Sequence, residues 1–242
     1  MAFAYPPAAM DWLLEDCGPS VLVLADSLAI PRLLAGQGYV VCAIHPDVWR
    51  LRGAIGVAGI CPVAARAASL PFGDCRFDGV LIHQVFSEVA PNLSEMARVL
   101  RPSGHLAISH LGRDDTVPWV HRLAQLMHSV DPQAMSAPSS DQVLEPVHQS
   151  KYFHGAPRDF RIWQSITRDA MINMVATTPA VQKLDQAKQQ IVLDAAAAIH
   201  DQAAGNNTLS LPYQLGCWRG QVDHEELTNP IQTDLSGLII PL

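Results

Sequence analysis

Runs of consecutive apolar residues, rather than strict alternation, mark the first half of the chain. Val21-Leu22-Val23-Leu24 and Tyr39-Val40-Val41-Cys42-Ala43-Ile44 have the length and β-branching of strands buried on both faces. Residues 30–34 between them read as a helix, closed by Gly36 and Gly38. Strand, helix and strand in that order make a βαβ unit, and its right-handed crossover leaves the two strands parallel.

The alternation continues along the chain. Residues 9–14 predict a short helix, ended by the turn residues Cys17-Gly18-Pro19-Ser20, and residues 60–65 a weaker strand. A strand over 77–82, a helix over 93–100 and a strand over 105–109 follow, the last entered through Arg101-Pro102-Ser103-Gly104. Residues 119–127 repeat apolar positions at helical spacing, and 131–140 has the Pro, Ser and Ala content of a surface loop. Residues 160–166 read as a strand, 168–176 and 183–200 as helices, and 213–218 as a final strand. The pattern predicts one α/β domain over residues 1–220. A tail over 221–242, ending Leu238-Ile239-Ile240-Pro241-Leu242, is expected to pack on that domain or on the partner in a homodimer.

Composition narrows the function classes. An apolar content of 49% with only 16% charged residues implies a packed core in a chain of 242 residues. The net charge of −7, with 16 basic residues scattered against 23 acidic ones, argues against nucleic acid as a partner. Five cysteines, Cys17, Cys42, Cys61, Cys75 and Cys217, are an odd number without C-x-x-C spacing, which suits reduced thiols and a cytoplasmic setting. No apolar run approaches the roughly 20 residues of a membrane span, and the first residues lack the basic and apolar regions of a secretory leader.

The segments Tyr5-Pro6-Pro7, Leu70-Pro71-Phe72, Arg98-Val99-Leu100-Arg101-Pro102-Ser103-Gly104 and Cys217-Trp218-Arg219, taken in order, resemble the small-molecule class I methyltransferase family called type 11. Tyr5-Pro6-Pro7-Ala8-Ala9-Met10-Asp11-Trp12-Leu13 is similar to the helix that covers the cofactor there. Leu70-Pro71-Phe72 and then Phe77-Asp78-Gly79-Val80 resemble the approach to the fourth strand. Arg98-Val99-Leu100-Arg101-Pro102-Ser103-Gly104 matches the "RVLRPGG" turn into the fifth strand, and Leu209-Ser210-Leu211-Pro212-Tyr213 with Cys217-Trp218-Arg219 resembles the closing strand. The resemblance spans residues 5–220. It implies a Rossmann-like, doubly wound, mostly parallel seven-stranded sheet with an antiparallel last strand, and a crevice for S-adenosylmethionine.

Three of the family's cofactor contacts are altered. After the first strand the family pattern is acid-x-Gly-x-Gly-x-Gly, because glycine lets backbone approach the ligand and amides near the helix start face its carboxylate. In register this chain has Val23, Ala25, Ser27 and Ala29, with Asp26 bringing a carboxylate of its own. The acid that ends the second strand and takes both ribose hydroxyls is replaced by His45, with Asp47 two residues on. Losing two charge-assisted hydrogen bonds costs roughly 3–6 kcal/mol, about two to four decades of affinity. At the third contact, a segment of the form Asp-Ala-Glu-x-Leu-Pro-Phe becomes Arg66-Ala67-Ala68-Ser69-Leu70-Pro71-Phe72.

The resemblance therefore implies a methyltransferase-like protein that holds either no cofactor or S-adenosylmethionine in a non-standard mode, a pseudoenzyme candidate with a binding or regulatory role or another ligand in the crevice. The competing expectation is an active methyltransferase with a reshaped loop, working on a small or lipid-like molecule. In that case His83 or Glu88, in the His83-Gln84-Val85-Phe86-Ser87-Glu88 segment after the fourth strand, is the candidate general base. His45, Arg66 and His83 together would suit an anionic ligand. No metal is expected, since His110, His121, His128, His148 and His154 follow no ligand spacing, and Ser27 lacks the G-x-S-x-G elbow of a hydrolase. Tyr152-Phe153-His154, Trp163, Met171 and Met174 fall where the family builds substrate-covering segments, where core packing would select the same residues.

Overall fold

The apolar run at Val21 becomes β1 (Ser20–Ala25), a strand buried along nearly its whole length. It pairs in parallel with β2 (Val40–His45) on one edge and with the strand at Phe77–His83 on the other. Both edges and both faces are covered, so every position can be apolar, and the sequence shows a continuous run for that reason. The computed structural model describes residues 5–132, 140–204 and 208–228.

Five further strands complete the sheet: β3 (Ile60–Ala64), β4 (Phe77–His83), β5 (Leu100–Arg113), β6 (Phe153–Ile166) and β7 (Leu209–Val222). Their order is β3-β2-β1-β4-β5-β7-β6. β7 runs antiparallel to β5, as Gly112 lies against Gln214 while Asp114 N donates to Pro212 O. It also runs antiparallel to β6, where Asp223 N donates to Tyr152 O and Gly155 lies against Arg219 and Gly220. The mostly parallel, seven-stranded sheet with an antiparallel last strand is the architecture that the resemblance implies.

The helices in chain order are α1 (Pro7–Leu13), α2 (Ala29–Gly36), α3 (Val48–Leu51), α4 (Phe86–Val89), α5 (Leu93–Val99), α6 (Pro118–Val130), α7 (Ser140–His148), α8 (Arg168–Ala176), α9 (Pro179–Gln182), α10 (Gln186–Ala204) and α11 (Glu225–Thr228). Among the described residues no helix is long and apolar enough to cross a membrane. α2 buries Ile30, Pro31 and Leu34, and Pro31 is tolerated because first-turn amides have no partner within the helix. Its end is a Schellman motif: Tyr39 N donates to Leu34 O and Gly38 N to Ala35 O, with Gly38 at φ 95°.

Two compact units divide the chain. One holds Leu13–Ile108, Glu145–Ala156 and the chain from Trp218; the other holds the chain up to Trp12, Ser109–Leu144 and Pro157–Cys217. In the second unit α6, α8, α10 and β7 bury a cluster that includes Trp119, Leu123, Met171 and Leu211. In the first, α5 braces the segment before β4. Glu95 Oε1 accepts from Leu70 N, and Arg98 donates to Glu95, Asp74, Phe72 O and Leu70 O.

Several expectations differ from the structure in extent. β5 begins at Leu100, so the predicted turn at 101–104 is a kink within the strand, with Ser103 at φ 64°. β6 starts at Phe153 rather than 160 because its outer half is exposed and polar, as befits the end strand of the sheet. The helix expected over 183–200 is α10, shifted a few residues along the chain, while the short α9 before it and α7, with Pro146 inside it, were not expected at all. Most of the predicted loop at 131–140, and the tail beyond residue 228, lie outside the described residues.

Two stability predictions follow from these local features. Ser103→Gly relieves a left-handed conformation that costs a side-chain-bearing residue, and should stabilise the fold by about 0.5–1 kcal/mol in chemical denaturation. The Arg98 hydrogen bond holds the Glu95 carboxyl below the ordinary carboxylate range, overcoming the opposing effect of burial. A depressed folded-state value means that this stabilisation is present above the ordinary glutamate range and is lost as the pH falls through the folded value. Glu95→Gln should therefore cost about 1 kcal/mol at neutral pH, and the gap to wild type should close on acidification.

Candidate functional site

The sheet's strand order reverses at β1, with β2 on one side and β4 on the other. In open α/β sheets such a point leaves a crevice at the carboxyl ends of the strands. Ala25 and His83 are register partners at those ends, and His45 ends β2 beside Ala64 of β3. A cavity of about 10 Å³ lies here, lined by Val23, Ala25, Asp26, Ser27, Leu28, Pro31, Ala43, Ile44, His45, Arg50 and Leu51. That is room for about one water molecule.

The segment leaving β2 is tied to the β1–α2 turn and to α2. Arg50 Nη1 donates to Asp26 O at 2.9 Å, and from α2 Arg32 Nη2 donates to Gly53 O at 2.8 Å. The segment is also fixed internally. Asp47 caps α3 by accepting from Trp49 N at 2.9 Å, and Asp47 N donates to His45 Nδ1 at 2.9 Å. With Nδ1 as acceptor, the His45 ring is the neutral tautomer protonated at Nε2. Arg52 stacks on the exposed Trp49 ring, 3.5 Å from its centroid.

The start of α2 offers the amides that a carboxylate ligand would use, and Leu28 at its N-cap makes no side-chain cap. Asp26, exposed in the same turn, already supplies a negative charge there.

Of the residues singled out from the sequence, Val23, Ala25, Asp26, Ser27 and His45 line the cavity together. Ala29, Arg66, Ala67, His83 and Glu88 do not. Arg66 is exposed, and its carbonyl accepts from Ser69 N in a tight turn. His83 is buried at the end of β4, next to Gln84 at φ 66°, whereas Glu88 is exposed on α4. Arg50, Arg32 and Leu51 escaped the sequence reading. The available signal was Asp47 followed by Val-Trp-Arg-Leu, an N-cap before a helical turn that would carry Arg50 toward the crevice.

Elsewhere the candidate residues have structural surroundings. His128 Nδ1 donates to Ala124 O, Gln125 Nε2 donates to His121 Nε2, and His154 contacts Asp223. Among the described residues no three His, Cys, Asp or Glu side chains group as metal ligands. Met171 is buried in the core cluster with Met174 packed on it, while Trp163 is exposed. Burial pushes the Tyr5 hydroxyl well above the ordinary tyrosine range, and the Cys217 thiol beside it up to about 12. Both are therefore neutral near pH 7.

Comparison with known proteins places this geometry. Residues 29–108 match the family model described as a methyltransferase domain. An uncharacterized methyltransferase of Mycobacterium tuberculosis is 31% identical over 234 residues, covering 89% of this chain and 88% of the relative. A methyltransferase-like protein of Schizosaccharomyces pombe is 36% identical over 141 residues, 51% of this chain and 52% of its own length. Among solved structures, a protein classed as a type II methyltransferase from Anaeromyxobacter dehalogenans aligns with TM-score 0.61 at 18% identity, over 91% of this chain and 98% of that one. YcgJ from Bacillus subtilis aligns with TM-score 0.56 at 17% identity, over 89% and 97%.

Removing the Arg50 side chain should loosen the segment after β2. In Arg50→Ala, amide hydrogen exchange at residues 47–54 is expected to quicken roughly threefold to tenfold, the range for one net hydrogen bond. Unchanged exchange there would mean that the contact carries no weight.

Proposed function

The chain belongs to the class I, S-adenosylmethionine-dependent methyltransferase family, and from that premise we propose that it is a member whose crevice does not take the cofactor in the family's mode and that acts as a non-catalytic binding or regulatory protein. The observation that carries this reading is the hydrogen bond from Arg50 to the Asp26 carbonyl, which joins the segment after β2 to the β1–α2 turn beside a cavity of about 10 Å³. Three features of the crevice support it. Side chains stand at Ala25, Ser27 and Ala29 where the family has glycine. His45 uses Nδ1 as an acceptor for the Asp47 amide. Asp47, the nearest substitute for the ribose-binding acid, spends one oxygen capping α3.

The anionic-ligand variant of this reading draws less from the geometry, because His45 is neutral as arranged and Arg66 lies off the cavity. An active methyltransferase keeps one argument: His83 stands at the reversal point as the register partner of Ala25, where a base would meet a substrate. A single domain over 1–220, a tail over 221–242 that packs on it or on a second copy, and a cytoplasmic setting suited to five free cysteines complete the proposal.

Calorimetric titration of the whole protein with S-adenosylmethionine and S-adenosylhomocysteine tests it. No saturable heat up to millimolar ligand is the expected result. Stoichiometric binding at micromolar ligand would overturn the reading and restore the enzyme.

A further inference from the structure

Cys42 and Cys61 are direct register partners across β2 and β3, and β3 is the end strand of the sheet. Neither lines the crevice. Directly paired residues on parallel strands project to the same face, and neighbouring strands lie about 4.8 Å apart. That spacing falls within the roughly 4.4–6.8 Å between Cα atoms that a disulfide requires. The two positions differ sharply in access: Cys42 is 7% exposed, whereas Cys61 is open to solvent. Both are free thiols in this structure.

Burial, and after it the neighbouring Cys61 sulfur, push the Cys42 thiol up to about 12. Cys42 therefore remains protonated beside a more accessible partner. An exposed thiol that can meet an oxidant, next to a shielded thiol that can displace the oxidised product, is the arrangement of an attacking and a resolving cysteine.

We propose that Cys61 and Cys42 form a peroxide-reactive dithiol that closes to an intramolecular disulfide. The Cys61 thiolate attacks one oxygen of a hydroperoxide, the O–O bond breaks, and Cys61 becomes a sulfenic acid as the alcohol, or water from hydrogen peroxide, departs. The Cys42 sulfur then attacks Cys61 Sγ. The S–S bond forms, the S–O bond breaks, and the hydroxide leaves with the Cys42 proton as water. Two thiols lose two electrons and two protons, and the peroxide accepts both pairs. A small dithiol reverses the bond by exchange.

The loop between the two cysteines contains α3 and Arg50, which holds the β1–α2 turn through the Asp26 carbonyl. Closing it covalently would restrain the strand ends from which the loop departs, with or without a ligand beside them. The inference is independent of the lost-cofactor reading.

The test uses the full reduced chain exposed to stoichiometric hydrogen peroxide, alkylated with N-ethylmaleimide and mapped by mass spectrometry. Cys42 and Cys61 should lose alkylation together and reappear in one linked peptide, restored by dithiothreitol, while exposed Cys75 stays alkylated. In Cys42→Ser, Cys61 should instead be trapped by dimedone as its sulfenic acid, with a several-fold gain over wild type. Wild-type mapping decides the matter even if that variant fails to fold. The proposal is overturned if wild-type Cys61 accumulates as a dimedone adduct or sulfinic acid without Cys42, if it links to another cysteine or another copy, or if both thiols stay alkylatable while Cys75 is oxidised.

Discussion

A parallel strand paired on both edges can deliver its chain only at its ends, and β1 is such a strand. Its carboxyl end opens at the same rim as those of β2 and β4, so the turn after Ala25, the turn after His45 and the end of β4 are forced into one neighbourhood. Whether that neighbourhood is a cleft or a filled junction depends on a few side chains. Glycines would leave it open. Here the side chains at those positions are methyl and hydroxymethyl groups, and a guanidinium joins the two turns.

The parts of the family pattern that survive are those with a mechanical task. Leu70 and Phe72 present main-chain groups that Glu95 and Arg98 hold, which keeps the segment before β4 in place whether or not a ligand lies beside it. Asp78 receives the Ser20 amide and the Arg101 guanidinium, joining the starts of β1 and β4 to the entry of β5. Arg66-Ala67-Ala68, a few residues from the first of these braces, takes no part in them. Scaffold and site therefore diverge between neighbouring residues.

Much of the fold was legible in the chain because burial on both faces writes itself as unbroken apolar runs, as at Val21–Leu24 and Val80–Ile82. The outer strands were less so: β6 presents polar residues on its exposed half, and no short-range pattern distinguishes those from a loop. α7 hid behind Pro146, although Val143, Leu144 and Val147 bury its apolar face. In the site, substitutions at positions of fixed spacing could be found by register, which located Ala25, Ser27 and His45. For Arg50 the Asp47 N-cap signals only the helical turn; its partner is a carbonyl 24 residues earlier, reached only once two strands lie side by side.

The bridging contacts of Arg50 and Arg32 end on main-chain oxygens, of Asp26 and Gly53. Every amino acid carries that oxygen, so the closure is indifferent to which residues occupy the turn it grips. Restoring glycine at 25, 27 and 29 would remove the bulk and leave both acceptors in place. The two arginines thus constrain the path of the turn without constraining its side chains, which leaves positions 25–29 able to vary in bulk around an unchanged pair of contacts.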